Sequence, residues 1–70
     1  MTKYVRYKIE VNLARKNASE PVWHYLMEDE HTSYEFETES EAREVISETG
    51  LVGDEIRLIG FTVNGIGRPI

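Results

Sequence analysis

Between Lys3 and Leu13 apolar and polar residues alternate without a break. Val5, Tyr7, Ile9, Val11 and Leu13 fall on one side, and Tyr4, Arg6, Lys8, Glu10 and Asn12 on the other. A period of two over this length predicts a half-buried strand, and the β-branched and aromatic content suits one. Ala14 to Pro21 then reads as a loop, with Asn17, Ser19 and Pro21 as turn formers. Val22 to Met27 predicts a second strand, in which Trp23, Tyr25 and Met27 alternate with Val22, His24 and Leu26. Both of its sides are fairly apolar, which predicts a central strand or one with a covered outer face. In a core this small Trp23 is expected to be the main core residue. After the polar turn Glu28–Thr32, residues Ser33 to Glu37 predict a third strand, with Tyr34 and Phe36 inward and Glu35 and Glu37 outward.

Thr38-Glu39-Ser40-Glu41 has the form of a capping box, a threonine followed three residues later by a glutamate, and predicts a helix start. Ala42, Val45, Ile46 and Thr49 form its inward stripe. Gly50 supplies a left-handed stop, and Leu51 the apolar contact that often follows one. Glu55 to Val63 predicts a last strand, with Gly60 marking a bulge or a close backbone approach. A bulge would let Ile56, Leu58, Phe61 and Val63 share one face. Asn64-Gly65 is a turn dipeptide. Residues 1–64 thus read as a single domain and residues 65–70 as a flexible tail. The order β-β-β-α-β predicts an α+β fold: an antiparallel sheet of three to four strands with one helix packed on one face. The other face is left to solvent or a partner, and the last strand has a place beside either the first or the third.

Seventy residues allow one domain. The absence of cysteine removes disulfides and thiolate zinc sites and fits a reducing compartment. No apolar run approaches the roughly 18 residues of a membrane span. The start of the chain lacks the apolar core of a signal peptide. A soluble, cytoplasmic protein without membrane contact is the expectation.

Charge changes this picture more than composition does. Residues 1–16 carry Lys3, Arg6, Lys8, Arg15 and Lys16 against Glu10, a local charge of +4. Residues 28–48 carry nine carboxylates against Arg43, a local charge of −8. Such a block repels nucleic acid and attracts basic surfaces. On a helical wheel Glu37, Glu41, Glu44 and Glu48 align in one ridge beside the apolar stripe. With Glu28, Asp29 and Glu30 they would imitate the phosphate spacing of a nucleic acid. Solvation and capping explain some of these acids, and pairing of Arg6 and Lys8 with Glu35 and Glu37 would neutralise others. Nine acids against one base exceed what capping needs. A second surface, Tyr4 with Arg6 and Lys8, combines cations for phosphate with a ring for stacking. The net charge of −5 opposes direct nucleic-acid binding by it. His24 and His31 lie near Glu28, Asp29 and Glu30 on strand and turn, a spacing that makes no dedicated metal site. Ser33, Ser40 and Ser47 have no evident base, and Gly65-Ile66-Gly67-Arg68 lacks the features of a phosphate loop. Neither an enzyme nor a cofactor is expected.

The run Phe36-Glu37-Thr38-Glu39-Ser40-Glu41-Ala42, after a strand beginning Tyr4-Val5-Arg6-Tyr7, resembles a join seen in small proteins of phages and mobile elements. It is similar to the arm-site DNA-binding N-terminal domain of tyrosine integrases, over residues 3–49. That resemblance implies a three-stranded sheet followed by a helix, with Arg6 and Lys8 as phosphate contacts. Glu35 and Glu37 stand where that family implies a basic face, and a further strand follows. Size and acidity also resemble small phage inhibitors of the anti-restriction and anti-CRISPR kind. Together these features predict a non-enzymatic module that docks its carboxylates on a basic, nucleic-acid-binding partner surface. The alternatives are a nucleic-acid-binding domain using strand one and a homodimer formed through an exposed sheet edge.

Overall fold

The first alternating segment becomes the organising strand of the fold. In the computed structural model, which describes residues 3–70, it forms β1 (Arg6–Asn12). The chain continues through β2 (Trp23–Tyr25), α1 (Glu39–Thr49), a 3-10 turn (Gly53–Glu55), β3 (Ile56–Phe61) and β4 (Gly67–Pro69). The four strands form one antiparallel sheet in the order β2-β1-β3-β4. The fold is therefore α+β, with a single helix on the sheet. The last long strand, β3, lies beside β1 and not beside residues 33–37.

Period two decides which side of β1 is buried. Tyr7, Ile9 and Val11 oppose Gly60, Leu58 and Ile56 of β3. Ile9, Leu58 and Ile56 meet Ala42 of the helix and Phe36 in the core, with Val45, Ile46, Leu26, Tyr34 and Leu51 packed around them. Ile9 and Ala42 are fully buried. The helix is set by its ends. The Thr38 hydroxyl accepts from the Glu41 N–H at 3.2 Å and donates to the Glu41 carboxylate at 3.1 Å. Gly50 stops it at φ 75°, a left-handed conformation that glycine adopts without penalty. Thr49, placed on the inward stripe by its spacing, is exposed, and Leu51 is the half-buried residue there.

Residues 33–37 do not form the expected full strand. They make isolated bridges, Ser33 to Met27 and Phe36 to Tyr7. The reason is geometric. Leu26 donates its N–H to Ile9, and Tyr34 then donates to Leu26. The chain leaves the sheet through the 27–33 turn and returns only at Phe36, which exchanges both backbone hydrogen bonds with Tyr7 at 2.9 Å. One edge of β1 is thus shared in sequence by β2 and Phe36.

Three further expectations are corrected. Trp23 is not a core residue: β2 is an edge strand, and Asn12 opposite Trp23 sets that side chain on the face away from the helix. No bulge occurs at Gly60, because the β1–β3 register runs unbroken from Arg6–Phe61 to Val11–Ile56. Phe61 therefore faces away from Leu58, and Val63 lies outside the strand, 81% exposed. The close approach at Gly60 does occur: a Cβ there would lie 2.6 Å from the Tyr4 ring. Residues 65–70 are not a loose tail. Gly65 turns the chain at φ 82°, and Gly67–Pro69 pairs with Phe61–Ile59 as β4. Ile70 donates to the Leu58 carbonyl, so by alternation the donor that Pro69 lacks belongs to the free edge.

Asn12 ties the loops at the far end of β1. Its Oδ1 accepts from Ala14 and Val22 N–H groups, both at 2.9 Å, and its Nδ2 donates to the Asp54 carbonyl at 3.2 Å.

Gly60→Ala is expected to destabilise the fold by about 1–3 kcal/mol, because the new methyl forces the Tyr4 ring off the sheet. In the Tyr4→Ala background the same change should cost much less. Denaturant unfolding of the two single variants and the double variant checks this; additive effects would show that the ring does not occupy that space.

Candidate functional site

The structure separates two surfaces of opposite chemistry, the outer side of α1 and the uncovered face of the sheet. The helix contributes the first. Glu37, Glu44 and Glu48 are exposed, and among the described residues none has a cation within ion-pair distance. Glu41 is exposed too, with one oxygen held by the Thr38 hydroxyl. Three other carboxylates are engaged: Glu35 by Arg6 at 2.6 Å, Glu39 by Arg43 at 2.5 Å and Glu10 by Arg57 at 2.7 Å. Of the pairings foreseen for the first strand, Arg6–Glu35 forms and Lys8–Glu37 does not. Glu41, Glu44 and Glu48 follow helical spacing as expected, whereas Glu37 precedes the extended Thr38 cap and does not continue the wheel; among the described residues no cation pairs with any of the four.

Glu28, Asp29 and Glu30 sit in the turn closed by the Met27–Ser33 bridge. No hydrogen bond or ion pair joins this turn to α1 among the described residues. Asp29 has a structural task there. Its carboxylate accepts from the N–H groups of His31 at 2.8 Å and Thr32 at 2.9 Å. The His31 N–H is the main cause, helped by the Thr32 N–H and hydroxyl, of an Asp29 pKa below its ordinary 3.8; partial desolvation works against it. Glu28 and Glu30 are exposed.

The second surface is the sheet face opposite the helix. Cross-strand pairing brings Arg6, Lys8 and Glu10 of β1 together with Phe61, Ile59 and Arg57 of β3, and places Tyr25 beside Glu10. The Lys8 ammonium sits 4.9 Å from the Tyr25 ring centroid and 5.7 Å from that of Phe61, and these two rings are 6.5 Å apart. The Arg57 guanidinium lies 4.2 Å from the Trp23 ring while it holds Glu10. Each cation desolvates part of a ring and gains from its quadrupole. Ile59, flanked by Lys8 and Pro69, is only 5% exposed on this otherwise open face.

Tyr4 does not join Arg6 and Lys8. The chain bends at Val5, and the Tyr4 ring lies over Gly60 and edge-on to Tyr7 at 6.3 Å, on the helix side of the sheet. Tyr25 and Phe61 take its place beside Lys8, and Trp23 lies against Arg57 further along the same face. The signal for Arg57 and Phe61 is the unbroken alternation of residues 56–61, in which Arg57 marks the side that faces away from the helix; Trp23 and Tyr25 are placed by the pairing of β2 with β1.

A cleft of about 700 Å³ lies between the β1–β2 loop and the 3-10 turn, bounded by Asn12, Arg15, Lys16, Trp23, Asp54 and Glu55. No histidine lines it. Among the described residues no group of three His, Asp or Glu side chains is placed to hold a metal ion, and no helix is long and apolar enough to cross a membrane. No protein-family model matches the chain, and no curated protein or solved structure matches it.

Asp29 yields a pH prediction. Its folded pKa is depressed, so its contribution to stability is present at neutral pH and is lost as pH falls below 3.8 through the folded value. Asp29→Asn is expected to flatten the stability–pH curve in that acid window. Urea titrations across it check this; an unchanged acid limb would show that the turn does not prefer the ionised side chain.

Proposed function

We propose that the protein is a small non-enzymatic binding module that docks the acidic side of α1 on a basic protein surface. One observation carries this reading: among the described residues Glu37, Glu41, Glu44 and Glu48 are exposed and have no ion-pair partner, although three other carboxylates are paired with arginines. The position of these acids also works against the helix. Glu39 and Glu41 favour the first turn, but the last turn holds Glu48 and no basic residue. There the helix dipole disfavours negative charge by about 0.3–1 kcal/mol. Glu44 and Glu48, four residues apart, repel by about 0.2–0.5 kcal/mol more. Stability alone would place a lysine at position 48. A ridge kept at such a cost suits a role in binding, where it steers encounter with a cationic partner.

The size and acidity match the style of small phage inhibitors, and a nucleic-acid-binding surface of a host protein is the class of partner we infer. Direct nucleic-acid binding by the sheet face is the weaker reading. Glu10 and Glu35 engage Arg57 and Arg6 there, which leaves few cations for phosphate.

Glu48→Lys is expected to raise unfolding stability by about 0.5–1 kcal/mol, since it reverses both the dipole and the pair effects. Glu44→Lys with Glu48→Lys should keep the fold and lose the basic proteins that the wild-type chain captures from a cell lysate at low salt. Circular dichroism and quantitative pull-down check the two halves; capture undiminished in the double variant overturns the reading.

A further inference from the structure

The open sheet face carries an unfinished charge arrangement that the acidic helix does not explain. Arg6 and Arg57 are closed by Glu35 and Glu10. Among the described residues of these strands Lys8 is the remaining cation of this face, and it has no carboxylate within ion-pair distance. Its ammonium is held between two rings, Tyr25 and Phe61. Trp23, stacked under Arg57, and Pro69, beside the buried Ile59, extend the apolar surface on either side. Aromatic and arginine side chains of this kind dominate the energetics of protein interfaces.

From this we infer that the sheet face is a second docking surface, and that its occupant is a protein segment presenting a carboxylate flanked by apolar side chains. The carboxylate pairs with Lys8, and the flanking groups cover Tyr25, Phe61 and Trp23. Charge complementarity selects this occupant over the others. The same face of a second copy would bring two uncompensated Lys8 ammoniums into one interface, where desolvation penalises each. A single-stranded nucleic acid needs a cationic track for its phosphates; among the described residues the strands of this face offer one cation outside an ion pair beside two carboxylates, and Arg15 and Lys16 stand off them in the loop cleft next to Trp23, on a chain of net charge −5. A carboxylate-bearing segment needs only what is present: one free ammonium, set in a ring of apolar groups that exclude water and strengthen the pair.

The test uses the full chain as bait for a displayed random-peptide library, with Lys8→Met as the paired control. That variant keeps an alkyl stem over the rings and removes the charge; Lys8→Arg restores a cation. Recovered peptides are expected to carry Asp or Glu next to an aliphatic or aromatic residue. They should bind the wild-type chain roughly tenfold or more tightly than Lys8→Met, with Lys8→Arg regaining most of the loss. Amidating the acidic residue of a peptide should cost about as much as Lys8→Met and should add little in that background. Melting curves of the three proteins establish that each is folded, and Glu44→Lys with Glu48→Lys should bind the peptides as the wild type does, which separates this surface from the helix. Peptides without acidic residues, no recovered peptides, or equal binding to Lys8→Met overturn the proposal. So does retardation of oligo-dT by the wild-type chain, or a concentration-dependent sedimentation that Lys8→Met abolishes, since the occupant would then be a nucleic acid or a second copy.

Discussion

One helix of eleven residues can cover only one face of a four-stranded sheet, and the rest of the molecule is arranged around that limit. The covered side becomes a core of few members: Ile9, Phe36, Ala42, Ile56 and Leu58 are its buried residues. The uncovered side must meet water with side chains that also hold the strands together. It does so by interleaving charge and ring across β1, β2 and β3, so that Lys8 and Arg57 shield aromatic surface with their side chains. Central placement of β1 makes this economical. Every second residue of one strand serves the core, and the residues between serve the open face.

The ion pairs of that face are not equal. Arg6 and Glu35 have side chains 58% and 42% exposed, so screening reduces their pairing to the small contribution usual at a surface. Glu10 is 15% exposed, and its partner Arg57 is packed on Trp23. Partial desolvation strengthens that attraction, and the stacked guanidinium loses less freedom in making it. Residues Glu10, Arg57 and Trp23 therefore act as a clamp across three strands, at the end of the sheet where Asn12 also fastens the loop to the 3-10 turn. The opposite end is fastened differently, with Arg6 paired to the exposed Glu35. There the sheet is held by Phe36 exchanging hydrogen bonds with Tyr7 and by the Tyr4 ring over Gly60.

Where the determinants are local, the fold is legible in the chain. The helix runs from the Thr38 cap to Gly50, because a hydroxyl acceptor and a left-handed glycine act within a few residues of themselves. The buried side of the first strand follows from strict alternation at Tyr7, Ile9 and Val11. Non-local determinants escape. Trp23 sits in a segment apolar on both sides, so only the partner strand decides which side meets the helix. Residues 33–37 have strand composition but find one edge of β1 already occupied by β2. Gly67-Arg68-Pro69 has no strand character of its own and is ordered by β3 beside it. The spacing of Glu41, Glu44 and Glu48 is legible because helical periodicity is local, whereas Glu37 falls before the extended Thr38 cap and escapes it. The cation–ring face is not legible, because it needs the register of three strands.

The two surfaces differ in how they are built, and that difference bears on what each can recognise. On α1 Glu39 is paired with Arg43 and Glu41 is held by the Thr38 hydroxyl, while Glu44 and Glu48 sit on long flexible side chains with no ion-pair partner among the described residues. They create a field more than a shape, and a field favours rapid encounter with any basic surface and weakens with salt. On the sheet, Lys8 is positioned by two rings and Arg57 by a ring and a carboxylate. Groups held this way lose little freedom on binding and discriminate by geometry. Because the helix packs on one side of the sheet and the cations project from the other, the acids of α1 cannot fold back to neutralise Lys8. A partner carrying both signs would be oriented by the molecule before contact. The sheet thus separates the exposed carboxylates of α1 from the cation–ring face on its other side.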